Sequence, residues 1–338
     1  MNIIRKYAFA RAGLLGNPSD GYNGKTISFS VCNFHAEVVL YEWDSVEILM
    51  TKEDRTQFSS VRELTEDVRF HGYYGGIRLV KATIKCFVNY CDAKKIKLHE
   101  KKFTIRYSSN IHRQVGLAGS SAIIVAILRC LMDFYHVEIP LRVQPSLVLS
   151  VEKDELGISA GLQDRVIQCY EGLVFMDFSE EKVEIIDGLK CYHYEKLDPK
   201  LLPPLYISFH ENLGEPTEVF HNDIRNRFNQ GERSLVKAME RFASYAQEGL
   251  KLLLKGDHSR LAEVINANFD LRRSVFQLPE WQLKMIETSR KVGVSAKFAG
   301  SGGAIVGTIQ NEQMFKKLFE EMAAIGSITL RPSILPNN

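Results

Sequence analysis

The sequence predicts an α+β protein of two domains, and three observations carry that expectation. The chain has 338 residues, enough for about two domains with a sizeable core. Strand-like and helix-like stretches follow one another through the second half, which suggests an α+β or split βαβ layer. Between the halves, residues 180 to 204 carry Pro199, Pro203 and Pro204, which mark a junction near residue 195. The expected domains are therefore 1–195 and 196–338.

Taken in order, residues 1 to 45 read as strands around a loop. Tyr7 to Gly13 and the β-branched and aromatic stretch Thr26 to Leu40 flank a run from Leu14 to Asn23 that is dense in Gly, Asn, Pro and Asp. Residues 50 to 70 are highly charged and read as solvated. Ile77 to Tyr90 has apolar residues at helical spacing, with Lys81 and Lys85 on another face. The five lysines between Lys94 and Lys102 form a polar turn before the alternating strand Phe103 to Tyr107. Gly119-Ser-Ser-Ala then opens a strongly apolar helix to Tyr135, with serine placed to cap the first turn. A helix from Pro145 to Leu156 ends at Gly157, another begins near Gln163, and Leu173 to Phe178 is a strand. Beyond the junction come a strand at Leu205 to His210, helices at 232–254 and 258–275, and then strand, helix, strand through residue 330.

Composition excludes several classes. Hydrophobic residues make up 45% and charged residues 25%, as in ordinary globular proteins, so disorder and low complexity are out. With 43 Lys plus Arg against 41 Asp plus Glu, the net charge of +2 offers no broad attraction for nucleic acid or an anionic membrane, and anion binding has to be local. The six cysteines, at 32, 86, 91, 130, 169 and 191, never form C-x-x-C and read as buried reduced thiols. No uncharged run reaches the roughly 18 residues of a membrane span, and Arg11 interrupts the apolar stretch near the N-terminus, so a soluble cytoplasmic enzyme is expected.

The strongest chemical signal is Gly116-Leu-Ala-Gly-Ser-Ser-Ala-Ile, a glycine-rich turn running into an apolar helix. Glycine lets backbone N–H groups approach a phosphate, a helix start adds unpaired N–H groups and a positive dipole end, and serine hydroxyls can ligate Mg²⁺. The familiar alternatives fail. Gly24-Lys25-Thr26 lacks the upstream glycine of a Walker loop, Ile305 stands where a dinucleotide fingerprint needs its third glycine, and no H-E-x-x-H metal motif occurs. Three separated segments remain. These are Gly16-Asn-Pro-Ser-Asp preceded by Arg11, the Gly116 to Ala122 loop followed by Glu152 and Asp164, and Lys297-Phe-Ala-Gly-Ser-Gly-Gly-Ala. Taken singly, each has a plain structural reading as a tight turn, a helix cap or a surface charge. Together they supply a phosphate cradle, metal-binding oxygens, a cation and a carboxylate, the parts phosphoryl transfer requires.

In that order the three segments resemble the GHMP small-molecule kinases, and the resemblance runs from Arg11 to Ile309. Within that family Gly13 to Tyr22, Gly72-Tyr-Tyr-Gly-Gly, Arg113-Gln, Ala160 to Arg165 and Asn268 to Arg273 look most like the glucuronokinases. The resemblance implies a GHMP kinase fold, with a ribosomal protein S5 domain 2-like N-terminal domain and a ferredoxin-like C-terminal domain. It also implies ATP-dependent phosphorylation of the anomeric hydroxyl of D-glucuronate. Galacturonate, another sugar or mevalonate stay open as acceptors, as does a non-catalytic sensor on the same scaffold.

Carried over residue by residue, the family pattern puts Gly116, Leu117, Ala118, Gly119, Ser120, Ser121 and Ala122 around the ATP phosphates. It gives Mg²⁺ to Ser121 and Glu152, the proton to Asp164, and the stabilisation of that aspartate to Arg11. Asp20, Asn17, Tyr74, Arg113 and Gly302 fall at substrate positions, and Gly300, Gly302 and Gly303 match the third motif. Two departures stand out: His112 replaces a proline, and Ala118-Gly119 lengthens the second loop by one residue. A uronate also needs a cation for its carboxylate, for which Arg78, Arg113, Arg165 and Arg272 are the candidates. Tyr73 and Tyr74 are placed to stack on the sugar or to pack in the core.

Overall fold

The structure, a computed structural model, describes residues 3–49, 75–210 and 218–335. The charged stretch from 50 to 70 and the two tyrosines Tyr73 and Tyr74 lie outside the described residues.

The N-terminal sheet is organised by β1 (Ile3–Leu15) and the 19-residue β2 (Lys25–Trp43), which pair antiparallel with register shifts at Phe9/Ala10 and Gly13/Leu15. The other edge of β2 is shared. Its second half pairs with β4 (Lys102–Ser109) and its first half with β5 (Leu173–Asp177), while the short β3 (Glu47–Ile48) runs beside β4. Along β1 the burial alternates at first and then becomes continuous from Ala10 to Leu15, so the end of this strand is covered on both faces. Arg11 is the charged residue inside that covered stretch, and it is only 5% exposed.

The cover comes from helices of both halves of the chain. On one side lie α1 (Gly76–Ala93) and α2 (Gly119–Tyr135), the latter buried continuously from Ser121 to Leu128. A short α3 (Gln144–Ser150) widens into a π turn at Val151–Glu155, and α4 (Gln163–Tyr170) follows the loop at 156–162. Interruptions of this kind concentrate at functional sites, and Glu152 sits on this one. A hairpin of β6 (Glu184–Ile186) and β7 (Leu189–Cys191) and then β8 (His193–Leu197) complete this part, with β8 hydrogen-bonded to β5. The first sheet thus extends to Leu197.

The second sheet starts with β9 (Leu205–His210). Four helices follow, α5 (Glu218–Asn229), α6 (Arg233–Lys255), α7 (His258–Val275) and α8 (Glu280–Val292), then β10 (Lys297–Phe298), β11 (Ala304–Thr308), α9 (Glu312–Ala324) and β12 (Ser327–Leu330). The strand order is β10-β11-β9-β12, antiparallel throughout, which is the βαββαβ arrangement of a ferredoxin-like layer. Leu235, Phe242 and Leu253 of α6 and Leu261 and Ile265 of α7 join the large core of the first sheet. A second core under α8 and α9 holds Tyr206, Phe298, Ile305 and Leu318.

The structure departs from the sequence expectation at several places, helix α5 and strand β8 among them, neither of which the sequence reading contains. No serine caps α2. The residue before it, Ala118, takes the left-handed conformation with φ 64° and offers no capping side chain. Helix α8 is absent from the sequence reading because its buried stripe holds only two apolar residues, Met285 and Ile286, beside Gln282 and Ser289. The β6–β7 hairpin was hidden in the proline-rich junction, although Asp187 and Gly188, both at positive φ, are the residues a two-residue hairpin turn needs. The six cysteines carry no disulfide, with four buried and Cys32 and Cys86 partly buried.

Candidate active site

The end of β1 brings the three glycine-rich segments together through one side chain. Arg11 donates from Nε to Asp164 Oδ1 at 2.6 Å, and from Nη1 to the carbonyl of Gly116 at 2.5 Å and of Ala299 at 3.2 Å. A guanidinium presents its donors in a fixed fork, so one buried arginine can bind three segments that are remote in sequence. Glycine makes this approach possible. A β-carbon on Gly300 would collide with the Gly116 carbonyl oxygen and stand 2.7 Å from Arg11 Nη1; one on Gly116, at φ +76°, would meet the Gly302 carbonyl oxygen at 2.6 Å.

The first segment is tied to the third by a second buried cation. Lys297 Nζ donates to Gly13 O at 2.7 Å, Asn17 Oδ1 at 2.6 Å and Phe298 O at 2.7 Å. Burial, together with the charges of Arg272 and Arg11, holds this ammonium well below the usual lysine range. Asn268 Oδ1 accepts from Gly16 N at 2.8 Å and pins the loop from α7. Arg272 donates to the carbonyls of Gly300 and Ser301 at 2.9 and 2.8 Å, and burial pushes it down to about 10.

These segments wall a cavity of about 520 Å³, within the range of small-ligand sites. Six arginines line it (Arg11, Arg78, Arg113, Arg165, Arg225 and Arg272) against three carboxylates (Asp20, Glu152 and Asp164). On a chain of near-neutral net charge, the cationic excess is concentrated where an anion would bind. The N-terminus of α2 opens into the cavity at Gly119 and Ser120, and Gly116, Leu117 and Ala118 line it as well. Ser121 and Ala122 do not reach it. Both are fully buried, and Ser121 Oγ bonds to Ala118 O at 3.4 Å. The serine facing the cavity is Ser120, whose Oγ donates to Glu152 Oε1 at 2.8 Å.

Glu152 is completely buried at the cavity wall. Its Oε2 accepts from Arg165 Nε at 2.6 Å and from the Nη2 of the same guanidinium. Burial opposes the charge of Arg165, and Glu152, Asp164 and Asp20 more than offset it, leaving its pKa raised. Arg165 Nη1 donates to Gly161 O at 2.8 Å and lies 3.3 Å from Asp164 Oδ2, so Asp164 is held by an arginine at each oxygen. Asp20 lies against Gly161, where a β-carbon would strike its carboxylate, and accepts weakly from Gln163 N at 3.4 Å. Burial first, and the nearby charge of Asp164 second, push Asp20 up to about 6.

Among the expected substrate residues, Asn17, Asp20 and Arg113 line the cavity. Gly302 lies behind the wall, against Gln282, and Tyr74 lies outside the described residues. Of the four arginines considered for a carboxylate, Arg165 and Arg272 are committed to the groups named above. Arg225 of α5 and Tyr107 of β4 line the cavity and were missed from sequence, since no motif surrounds them, whereas the Ile158 to Gly161 loop, which also lines it, runs into the stretch Ala160 to Arg165 already singled out. The Glu152 and Ser120 oxygens form a hard pair suited to Mg²⁺, an ion held by one or two protein oxygens with phosphates and water completing its shell.

Comparison with known proteins follows the same lines. The family model for the GHMP kinases N terminal domain matches residues 78–172, and that for GHMP kinases C terminal matches residues 250–327. Glucuronokinase 1 of Arabidopsis thaliana is 45% identical over 97% of this chain and 91% of its own length. Probable glucuronokinase 2 of the same plant is 45% identical over 98% and 91%. The crystal structure of Lactococcus lactis galactokinase complexed with galactose superposes with a TM-score of 0.79 at 15% identity, covering 99% of this chain and 94% of that one.

Proposed function

The chain belongs to the GHMP kinase family, and from that membership we propose that it transfers the γ-phosphoryl group of ATP to the anomeric hydroxyl of D-glucuronate, yielding glucuronate 1-phosphate and ADP. The observation that carries the reading is the three-way grip of Arg11 on Asp164, Gly116 and Ala299. It brings the carboxylate and both glycine turns to one cavity, alongside 45% identity to the Arabidopsis glucuronokinases over nearly the whole chain.

In this reading the Gly116 to Ser120 backbone and the dipole of α2 hold the ATP phosphates. Asp164 orients the sugar hydroxyl and accepts its proton as the new P–O bond forms, while Arg11 fixes the aspartate and offsets charge beside the reacting oxygens. Mg²⁺, when bound, neutralises charge on the phosphates, and Ser120 with Glu152 are the oxygens this chain offers it. The hydroxyl assigned to the ion thereby moves from Ser121 to Ser120, because the left-handed Ala118 sets the helix phase and turns Ser121 inward. Asp20 accepts from sugar hydroxyls. Among the described residues no helix is long and apolar enough to cross a membrane, and with six unpaired cysteines this supports a cytoplasmic location.

The test is ADP release against D-glucuronate, D-galacturonate and D-glucose, with the product's phosphate position read by ³¹P NMR. Glucuronate-dependent ADP release with phosphate on C1 is expected. Turnover of a neutral sugar with none on uronates would overturn the acceptor.

A further inference from the structure

A sugar acid carries a charge that a neutral sugar lacks, and a site that selects it must hold a cation not already spent on the protein. Four of the six cavity arginines were considered from sequence for this task. Arg165 is consumed by Glu152, Gly161 and Asp164, and Arg272 commits two donors to the third glycine turn. Arg11 is spent on Asp164, Gly116 and Ala299. Arg78 and Arg113 each already engage another residue.

Arg225 differs. It lines the same cavity from α5 and no hydrogen bond or ion pair to its side chain occurs among the described residues; its Nε is buried with no partner, a property it shares with the Nε of Arg272. Its position is built rather than incidental. Three residues further along α5, on the same helix face, Phe228 packs on Tyr22 with ring centroids 4.7 Å apart, so docking of the helix aims Arg225 inward. The guanidinium lies over the Tyr22 ring, 5.5 Å from its centroid. The absence of a side chain at Gly21 leaves it room, since a β-carbon there would stand 3.0 Å from Nη2. Gly21 and Tyr22 directly follow Asp20, the carboxylate assigned above to sugar hydroxyls.

We propose that Arg225 is the residue that recognises the carboxylate of the acceptor, with its fork meeting both carboxylate oxygens beside the Asp20 hydroxyl site. The inference rests on the sugar-acid reading above and adds the specificity determinant. An unpartnered buried N–H is costly, and an arriving carboxylate satisfies it, so the acid gains at Arg225 what a neutral analogue cannot.

The experiment compares wild type, Arg225→Met and Arg225→Lys on D-glucuronate and its neutral amide, D-glucuronamide, with ATP KM measured in parallel. In Arg225→Met, kcat/KM for glucuronate is expected to fall at least about thirtyfold, mostly through KM. Activity on glucuronamide and the KM for ATP should stay within about twofold. Arg225→Lys should recover part of the loss, because it restores charge without the fork. An unchanged preference for the acid in Arg225→Met, with wild type active on glucuronate, overturns the assignment and leaves the kinase reading intact. A loss shared equally by acid, amide and ATP assigns Arg225 a structural role and likewise overturns it. Wild type inert toward every sugar acid removes both.

Discussion

Arg11 Nε lies 2.6 Å from Asp164 Oδ1 although 153 positions separate the two residues. The pair is nearly enclosed, with side-chain exposures of 6% and 21%, and the same guanidinium also holds the carbonyls of Gly116 and Ala299. The position of the Asp164 carboxylate, the proposed proton acceptor, is therefore coupled to that of both glycine turns. A shift in either turn is felt at the carboxylate, and positioning to a fraction of an ångström is what such transfers depend on.

Asp164→Asn keeps the size of the side chain but removes the proton acceptor and turns an amide donor toward one of the two arginines that hold the carboxylate. The expected outcome is a fall in kcat of about 10²- to 10⁴-fold, with ATP affinity little changed and a lower thermal midpoint. Steady-state kinetics beside nucleotide titration by calorimetry checks it; near-normal kcat would remove Asp164 from the proton-transfer role.

In the proposed reading Glu152 and Ser120 offer their oxygens to Mg²⁺. Glu152→Gln and Ser120→Ala should each raise the Mg²⁺ concentration for half-maximal activity by about tenfold, whereas Ser121→Ala should leave it unchanged because that hydroxyl faces Ala118. Activity as a function of Mg²⁺ at saturating substrates is the measurement. A shift in Ser121→Ala and none in Ser120→Ala would return the metal to the second serine.

The raised Asp20 sets a pH dependence. It is surrounded by Asp164, Arg11 and Arg165, with burial the dominant cause of its rise to about 6. Below that value it is protonated and loses part of its capacity to accept sugar hydroxyls. The KM for sugar should therefore fall as pH rises through about 6, and Asp20→Asn should show a high KM without that inflection. The sign for stability is opposite. A carboxyl whose folded value is raised holds its proton more tightly in the folded state, so its contribution declines as pH rises from about 4 through 6. Asp20→Asn should thus gain stability relative to wild type over that interval, as urea unfolding at both ends of it would reveal.

Gly300 has no left-handed φ, so its glycine is required by space alone. Gly300→Ala places a methyl group against the Gly116 carbonyl and the Arg11 guanidinium. A loss of about 1–3 kcal/mol in unfolding free energy and a fall in kcat are expected, since the clasp around Arg11 must open. Denaturant unfolding with parallel kinetics checks both; a variant equal to wild type in each would show that the turns are not tightly packed in solution.

Much of the architecture was legible because local pattern and tertiary role agree. The helical spacing from Ile77 to Tyr90, the apolar run from Gly119 to Tyr135 and the helix at 258–275 each form α-helix over nearly those bounds. Arg11, Glu152, Asp164 and the glycine turns could be named as candidates only through their joint order along the chain and the family resemblance, since each alone reads as a surface charge, a helix cap or a tight turn. A split βαβ layer could also be anticipated, although the two-residue strand β10 and helices α5 and α8 escaped the reading, α8 because its buried stripe holds only two apolar residues.

What the tertiary structure decided was which of several equivalent side chains is available. Two adjacent serines are interchangeable in a string of letters, but successive helical residues differ in direction by about 100°, and the conformation of Ala118 turned Ser120 to the cavity and Ser121 away. Six arginines carry the same charge in the sequence. Partners at long separation, Glu152 for Arg165 and the Gly300 and Ser301 carbonyls for Arg272, consumed some and left Arg225 open, and pairing across such distances exists only once the chain has folded.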